Sequence, residues 1–580
     1  MEANHVRNIM NPDIVSGSEI ILRCLLLEGV ECVFGYPGGA VLYIYDAMVD
    51  HPEFQHLLTR HEQGAIHAAD GYARASGKTG VCMATSGPGA TNLITGIATA
   101  YADSVPLVIF TGNVSTDMIG TDAFQEADIV GMTMPVVKNS YFVDNIDDLA
   151  PTIREAFHLA GTGRKGPVLI DIPKDILAAK TKFLHPETVN VEGYVPYPEV
   201  NLAQVNKLYQ AIIKSKCPVI IAGGGVVSSD AHGALLHFIE QLNIPVTTTL
   251  MGLGCVPDNH PLFLGMPGMH GTVAANRAIH EADLLIAIGA RFDDRVTLNI
   301  KKFAPNAEIA HIDIDAAEIG KNIHTHYPIR GDVSDVLNVF NNHVGDESTP
   351  NRKPIKTWHQ YLDSLKEMYP LKYRQNGHDL KPQYVMELIR DTTDENTIVT
   401  TDVGQHQMWA AQFGPFKKNR SFITSGGLGT MGFGLPSALG AQIACPEKMV
   451  VSINGDGGIQ MCAQELAVCA IHNLPVKIVV INNQVLGMIY QWQNLLYKER
   501  YSSIDLQGKP DFVKLAEAHG VKGLRAKTKE EADTCWREAL KTDRPVLIEF
   551  VVPKEELVYP MIPQGQSVKE VMLGGDSCEK

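Results

Sequence analysis

From Ser16 onward the chain alternates amphipathic stretches of helical period with short apolar runs rich in Val and Ile: VECVFGY, KTGVCMATS, VPLVIFTG and GPVLIDIP. That rhythm predicts parallel strands covered by helices on both faces. The runs end in, or lead into, Gly, Pro, Ser and Thr. In open α/β sheets ligands bind beyond the strand C-termini, so these ends are where chemistry is expected. A Pro-containing stretch, HPETVNVEGYVPYPEV, precedes a second alternating block with CPVIIAGGG, DLLIAIGARF and EIAHIDID. A polar stretch, GDESTPNRKPIK, precedes a third. The pattern therefore predicts an α/β protein of three doubly wound parallel-sheet domains, spanning 12–180, 195–345 and 378–560. The first and third blocks share length and rhythm, which suggests a shared fold, and no repeat of about 20 to 50 residues is visible.

Composition narrows the function classes. A chain of 580 residues is too long for one core, and 45% apolar with 20% charged residues is ordinary globular composition, which excludes a disordered chain. The net charge of -16 opposes docking on phosphate backbones or anionic lipid, so nucleic-acid and membrane-surface roles are set aside. No run reaches the roughly 18 apolar residues of a membrane span, and the N-terminus carries neither a signal-peptide core nor an Arg- and Ser-rich leader. A cytoplasmic location is expected. The ten cysteines include no C-x-x-C pair, so neither a zinc site nor a redox dithiol is indicated.

The most specific chemical signal is Gly455-Asp456-Gly457-Gly458 after one apolar run and Asn482-Asn483 after the next, with 27 residues from Asp456 to Asn483. Two parallel strands joined by a helical crossover bring Asp456 and Asn483 to one sheet edge and offer two hard oxygens to one cation. Mg2+ suits such a pair, because it takes few protein oxygens and completes its shell with phosphate and water. Glycines there let main-chain N–H groups approach an anion. Taken singly, the first element is also a tight turn and the second a strand end. A second signal is Arg60-His61-Glu62-Gln63 leading into a helical pattern, where an acid at the helix start is also favoured by the helix dipole alone.

Together these segments resemble the thiamine diphosphate enzymes of 2-keto acid chemistry. FGYPGGA, GTDAFQEADIVG, TLMGLG, GARFDDRVT, HIDID and VLGMIYQWQ extend the resemblance, over nearly the whole chain, to the acetohydroxyacid synthase family. The resemblance implies that Glu62 hydrogen-bonds the cofactor's aminopyrimidine, and that Asp456, Asn483 and the Val485 carbonyl hold Mg2+. It implies that Gln405, His406, Gly457, Gly458, Gly487 and Met488 contact the cofactor, and that Met431 holds it bent. Gly458-Ile459 departs from the Ser-Phe of many relatives, which removes a hydroxyl near the diphosphate. By the same resemblance, Gly39 would present a main-chain N–H to the reacting keto oxygen and join Glu62, Gln125 and Lys174 in the catalytic set. Phe124, Gln125 and Lys174 line the substrate channel. The resemblance further implies that Arg295 holds the acceptor carboxylate, with Met488 and Trp492 beside it, and that Trp492 favours 2-ketobutyrate over pyruvate as acceptor. Standing alone, Arg291 to Arg295 would read as a surface ion-pair cluster.

For the central domain the resemblance implies a structural FAD on Arg164, Gly224, Gly225, His270, Arg291, Asp313 and Asp332. AGGG after a strand is by itself weak evidence for a nucleotide site. The implied activity is decarboxylation of pyruvate and transfer of its hydroxyethyl unit to a second 2-keto acid. The products are 2-acetolactate or 2-aceto-2-hydroxybutyrate, in valine, leucine and isoleucine biosynthesis. The implied assembly is a homodimer or tetramer with active sites at the dimer interface and a small regulatory subunit. Two alternatives stay open at this point: a pyruvate oxidase-type flavoenzyme, and a non-catalytic scaffold that Glu62, Asp456 and Asn483 argue against.

Overall fold

The computed structural model describes residue 10 and residues 13–344, 353–375, 377–508 and 510–574. Pro12 and Gly345, at which the sequence reading opens its first domain and closes its second, lie outside the described residues. The chain forms three parallel sheets, as the alternating pattern predicts.

The first sheet comprises β1 (Cys32–Tyr36), β2 (Gln55–Leu58), β3 (Gly80–Ala84), β4 (Leu107–Asn113), β5 (Asn139–Phe142) and β6 (Pro167–Pro173), in the order β2-β1-β3-β4-β6-β5. Helix α1 (Glu62–Ser76) follows β2, and α2 (Ile94–Asp103) lies between β3 and β4. The second sheet comprises β7 (Pro218–Ala222), β8 (Val246–Thr248), β9 (Leu284–Ile288), β10 (Glu308–Asp313) and β11 (Tyr327–Arg330), in the order β8-β7-β9-β10-β11. The third comprises β12 (Ile398–Thr401), β13 (Phe422–Thr424), β14 (Val450–Gly455), β15 (Lys477–Asn482), β16 (Lys522–Ala526) and β17 (Val546–Val551), in the order β13-β12-β14-β15-β17-β16. Helix α3 (Gln405–Phe413) follows β12, α4 (Gly434–Ala444) follows β13, and α5 (Gly487–Leu496) follows β15. A short antiparallel pair, Ile14–Ser16 with Lys180–Lys182, ties the two ends of the first unit.

The first and third sheets have the same strand order, so the similar rhythm of the two blocks reflects one topology used twice. Residues of β3, β4 and β6 are buried throughout, as expected for strands covered on both faces. Helices α1 and α4 occupy equivalent places in the two units and pack on each other so tightly that backbone meets backbone. A Cβ on Gly71 would overlap the Ser437 carbonyl, and one on Gly440 would overlap the Ala68 carbonyl. Apolar residues of both units therefore merge into one core, from Phe34 and Ile66 to Leu439 and Val480. In both units the strand order reverses between the first and third strands, and ligands bind in the crevice at such a switch point.

Candidate active site

The switch point of the third sheet lies between β12 and β14. Strands β14 and β15 are parallel neighbours, with Gly455 paired to Ile481. The residues that leave their C-terminal ends, Asp456 and Asn483, therefore emerge at the same edge. Asp456 is buried; its Oδ1 accepts the Gly457 N–H at 3.0 Å and its Oδ2 the Gln484 N–H at 2.7 Å. Burial pushes its carboxyl up to about 7, against the lowering effect of those main-chain donors; a bound cation would hold it ionised. Asn483 Oδ1 accepts the Val485 N–H at 3.2 Å, and its Nδ2 donates to Gln405 Oε1 at 3.1 Å. Among the described residues no group of three His, Cys, Asp or Glu is placed to hold a metal. A cation here would use one carboxylate, one amide and a main-chain carbonyl, and take its remaining oxygens from a ligand.

Opposite this edge, α3 begins with Gln405 and His406. His406 is buried, burial lowers its imidazole to about 3, and its Nε2 has no partner. His406 lines a cavity, and a buried ring nitrogen left without a protein partner suits a site for a polar ligand. The cavity is about 600 Å³ and brings together Gln405, His406, Met431, Asp456, Gly457, Gly458, Asn483, Val485, Gly487 and Met488. A Cβ on Gly487 would overlap the ends of the Gln405 and Asn483 side chains, which would have to shift. A Cβ on Gly458 would overlap the Asp402 carboxylate, which would have to shift where relatives carry Ser. The Gly at this position thus makes room for Asp402 as well as removing a hydroxyl.

The same cavity receives His270, Arg291, Arg295 and Trp492 from the far side. The Arg295 guanidinium lies over the Trp492 ring at 6.0 Å, and its ion pair to Asp294 is long, at 3.9 Å. A guanidinium stacked on an indole keeps its planar donor fork for a carboxylate. Trp492 Nε1 and His270 Nε2 are buried without partners.

The residues singled out in the first unit gather elsewhere. Glu62 is the first residue of α1, whose N-cap His61 accepts the Gln63 N–H through Nδ1 at 3.1 Å. Glu62 is 9% exposed and accepts from Asn92 Nδ2 at 2.9 Å, with Gly89 beside it. Thr85 links this corner to the Gly38-Gly39 turn, its Oγ1 accepting the Ala40 N–H at 3.2 Å. Gln125, in the left-handed region at φ 62, lies against Gly87, and Phe124 is 87% exposed. Lys174 opens the short helix directly after β6. These are C-terminal ends of one sheet, yet none of Gly39, Glu62, Phe124, Gln125 and Lys174 lines the cavity of Asp456.

The remaining positions trace the C-terminal edge of the central sheet. Gly224 and Gly225 follow β7, and Gly225 packs against Gly289 after β9 so closely that a Cβ on either would meet the other's backbone. Asp313 ends β10 and is raised to about 6 by burial; Asp332 follows β11 and accepts the Ser334 N–H at 2.8 Å. Arg164 reaches this edge from the first unit and pairs with Asp315 at 2.9 Å and Glu318 at 2.8 Å. Of this group only His270 and Arg291 also line the cavity.

Several residues that support the site were not singled out in the sequence. Asp402, fully buried, accepts the Val403 and Gly432 N–H groups. Gln491, fully buried, accepts from Gln405 Nε2 at 2.9 Å. Glu465 accepts the Arg60 N–H at 3.0 Å and so fixes the turn before Glu62 from the third unit. Asp402 ends an apolar strand run as Asp456 does, a signal that could have found it; Gln491 and Glu465 carry no comparable mark.

Comparison with known proteins matches all three units. Residues 15–132 match the thiamine pyrophosphate enzyme N-terminal TPP binding domain, 205–340 the central domain and 402–550 the C-terminal TPP binding domain. Acetolactate synthase of Mycobacterium leprae is 48% identical over 568 residues, covering 97% of this chain and 91% of the relative. Acetolactate synthase isozyme 3 large subunit of Escherichia coli is 46% identical over 567 residues, covering 97% and 99%. A probable acetolactate synthase large subunit of Methanococcus aeolicus is 47% identical over 572 residues, covering 96% and 95%. With identity at this level along nearly its whole length, the chain belongs to the acetolactate synthase family of thiamine pyrophosphate enzymes.

Proposed function

We propose that this chain is the catalytic large subunit of an acetolactate synthase, joining two molecules of 2-keto acid with loss of carbon dioxide. It forms 2-acetolactate from two pyruvates, or 2-aceto-2-hydroxybutyrate from pyruvate and 2-ketobutyrate, in branched-chain amino-acid biosynthesis. The observation that carries this reading is one cavity holding both the Asp456–Asn483 edge and the Arg295–Trp492 pair. A cofactor anchor and a carboxylate receptor then face the same space.

Thiamine diphosphate, when bound, supplies the electron sink that decarboxylation needs. The chain's residues hold and aim it. Asp456, Asn483 Oδ1 and the Val485 carbonyl are the oxygens for Mg2+. His406, Gly457, Gly458, Gln405 and Gly487 line the same cavity and would hold the diphosphate. Met431 and Met488 line the cavity, where Met431 would keep the cofactor bent. Glu62, in its buried corner, would hydrogen-bond the aminopyrimidine, and low dielectric would strengthen that bond. The Gly39 N–H polarises the donor's keto oxygen, and Phe124, Gln125 and Lys174 line the entry. Arg295 binds the acceptor carboxylate, and Trp492 packs on its alkyl end. Arg164, Gly224, Gly225, His270, Arg291, Asp313 and Asp332 would hold FAD, whose role would be structural because the reaction has no net redox change.

Glu62 and Asp456 sit in separate places within one chain, which supports a homodimer, or a tetramer built from it, with each site shared between two subunits. The "large subunit" in the names of the Escherichia coli and Methanococcus aeolicus relatives supports a small regulatory partner. The proposed location is cytoplasmic; no helix among the described residues is long and apolar enough to cross a membrane.

The test is product analysis of the purified protein with pyruvate, thiamine diphosphate, Mg2+ and FAD, with and without 2-ketobutyrate, beside Glu62→Ala. Acetolactate and acetohydroxybutyrate, both lost in the variant, support the reading. Acetate with reduced flavin would move the protein to the oxidases, and acetaldehyde alone to the decarboxylases.

A further inference from the structure

Met431 reaches the cavity from a glycine-rich turn, residues 425–431, whose conformational freedom must be removed for Met431 to have a fixed aim. From its own unit, Asp402 accepts the Gly432 N–H at 2.9 Å and Ser425 Oγ accepts the Thr430 N–H at 3.0 Å. The other constraints come from the first unit of the same chain. Asp103, the last residue of α2, accepts the Gly426 N–H through Oδ2 at 3.1 Å and the Gly427 N–H through Oδ1 at 2.7 Å. Its side chain has no solvent exposure. Arg74 of α1 donates to Asp103 at 2.9 Å and to the Thr424 carbonyl at 3.0 Å, and lies 5.4 Å over the Phe433 ring. Asp70, one turn back on α1, holds Arg74 in place. Thr99 Oγ1 bonds Thr430 Oγ1 at 2.7 Å, both buried. The turn is thus gripped at its start, near its end and beyond.

We propose that Asp103, with Arg74 and Thr99, is a positioning residue that presets the 425–431 turn and the aim of Met431. The first unit of each chain shapes its own chain's cofactor cavity through this grip, although none of these three side chains lines it. Two main-chain donors and a guanidinium on one buried carboxylate are charge-assisted hydrogen bonds, stronger and more directional than neutral ones. Gly427 is required for the approach: a Cβ there would lie 2.8 Å from Asp103 Oδ1. The proposal rests on the cavity being the thiamine diphosphate site.

The experiment compares full-length protein with Asp103→Asn and with Asp283→Asn. Asp283 is a control carboxylate in the central unit that likewise accepts two main-chain N–H groups, from Lys216 and Cys217. In cofactor-free protein, Asp103→Asn is expected to speed amide hydrogen exchange across 425–432 by about tenfold. At saturating Mg2+ it should weaken thiamine diphosphate binding, followed by quenching of tryptophan fluorescence, by a similar factor. Asp283→Asn should lower the melting temperature and move neither readout. Equal melting shifts in the two variants, with exchange and affinity unchanged by Asp103→Asn, would overturn the proposal. If Asp103→Asn does not fold, Thr99→Val, which removes only the hydroxyl pair, carries the test with an expected change of about threefold in both readouts; unchanged values overturn it. Neither readout measures product, so a wild-type protein that binds thiamine diphosphate but makes no acetolactate refutes the proposed function and leaves the positioning role standing.

Discussion

At the scale of single residues, the proposed function makes Trp492 the residue that chooses the acceptor. The Arg295 guanidinium lies over its ring, so in that proposal the indole would both orient the guanidinium and offer an apolar wall to the acceptor's alkyl end. An extra methyl in a pocket is worth about 1 to 3 kcal/mol. Trp492→Leu is therefore expected to keep acetolactate formation and to lower the preference for 2-ketobutyrate about tenfold. Competition of the two acceptors in one vessel measures this, and an unchanged product ratio would remove Trp492 from the acceptor pocket. A buried histidine gives a pH prediction. His67 is 1% exposed, lies edge-on to Phe433 and has no partner for Nδ1. Burial first, and Arg74 second, lower its imidazole to about 3. The unfolded chain takes up this proton from about pH 6.5 downward while the folded protein refuses it, so stability is fully present above 6.5 and is lost as pH falls toward 3. His67→Leu is expected to remove about 2 kcal/mol of the fall between pH 6.5 and 5, read from urea midpoints at each pH. Parallel curves for variant and wild type would show that His67 does not titrate on unfolding. Asp456 and Asn483 were legible in the sequence because each directly follows an apolar strand run. Gln491 and Glu465 were not, because their partners lie 86 and 405 positions away along the chain.

At the scale of elements, the crossing of α1 and α4 joins the two duplicated units. The sheets were legible from runs of buried Val and Ile, whose period needs no knowledge of tertiary partners. The crossing was not, because Gly71 and Gly440 within helical patterns read only as local weak points. Their purpose emerges when the two helices meet: each glycine admits the other helix's main chain. Gly440→Ala is expected to cost about 3 kcal/mol or more, since the obstacle is the Ala68 carbonyl and backbone cannot rotate away as a side chain can. Thermal unfolding measures this, with Gly233→Ala as control, a helical glycine whose added Cβ would meet nothing. Equal melting temperatures would mean that the helices can separate at little cost.

At the scale of the whole molecule, the duplicated topology sets the logic of the active site. Each unit presents its strand C-termini as a ligand edge, one with Glu62 and the other with Asp456, and the cavity at the second edge contains no residue of the first sheet. The first unit also exposes Tyr36, Met118, Ile119 and Phe124, large apolar side chains whose exposure suits coverage by a second subunit. A two-fold arrangement that lays one chain's first unit over its partner's third unit brings Glu62 to Asp456 twice, once at each site. This makes a prediction that no single-chain site can satisfy. Glu62→Ala and Asp456→Ala should each be inactive alone. A mixture allowed to exchange subunits should regain roughly a quarter of wild-type activity, because about half of the dimers are then hybrids and each hybrid has one intact site of two. A mixture as inactive as its parts, with exchange verified by differently tagged subunits, would place both residues in the site of one chain and require the two units to close on each other.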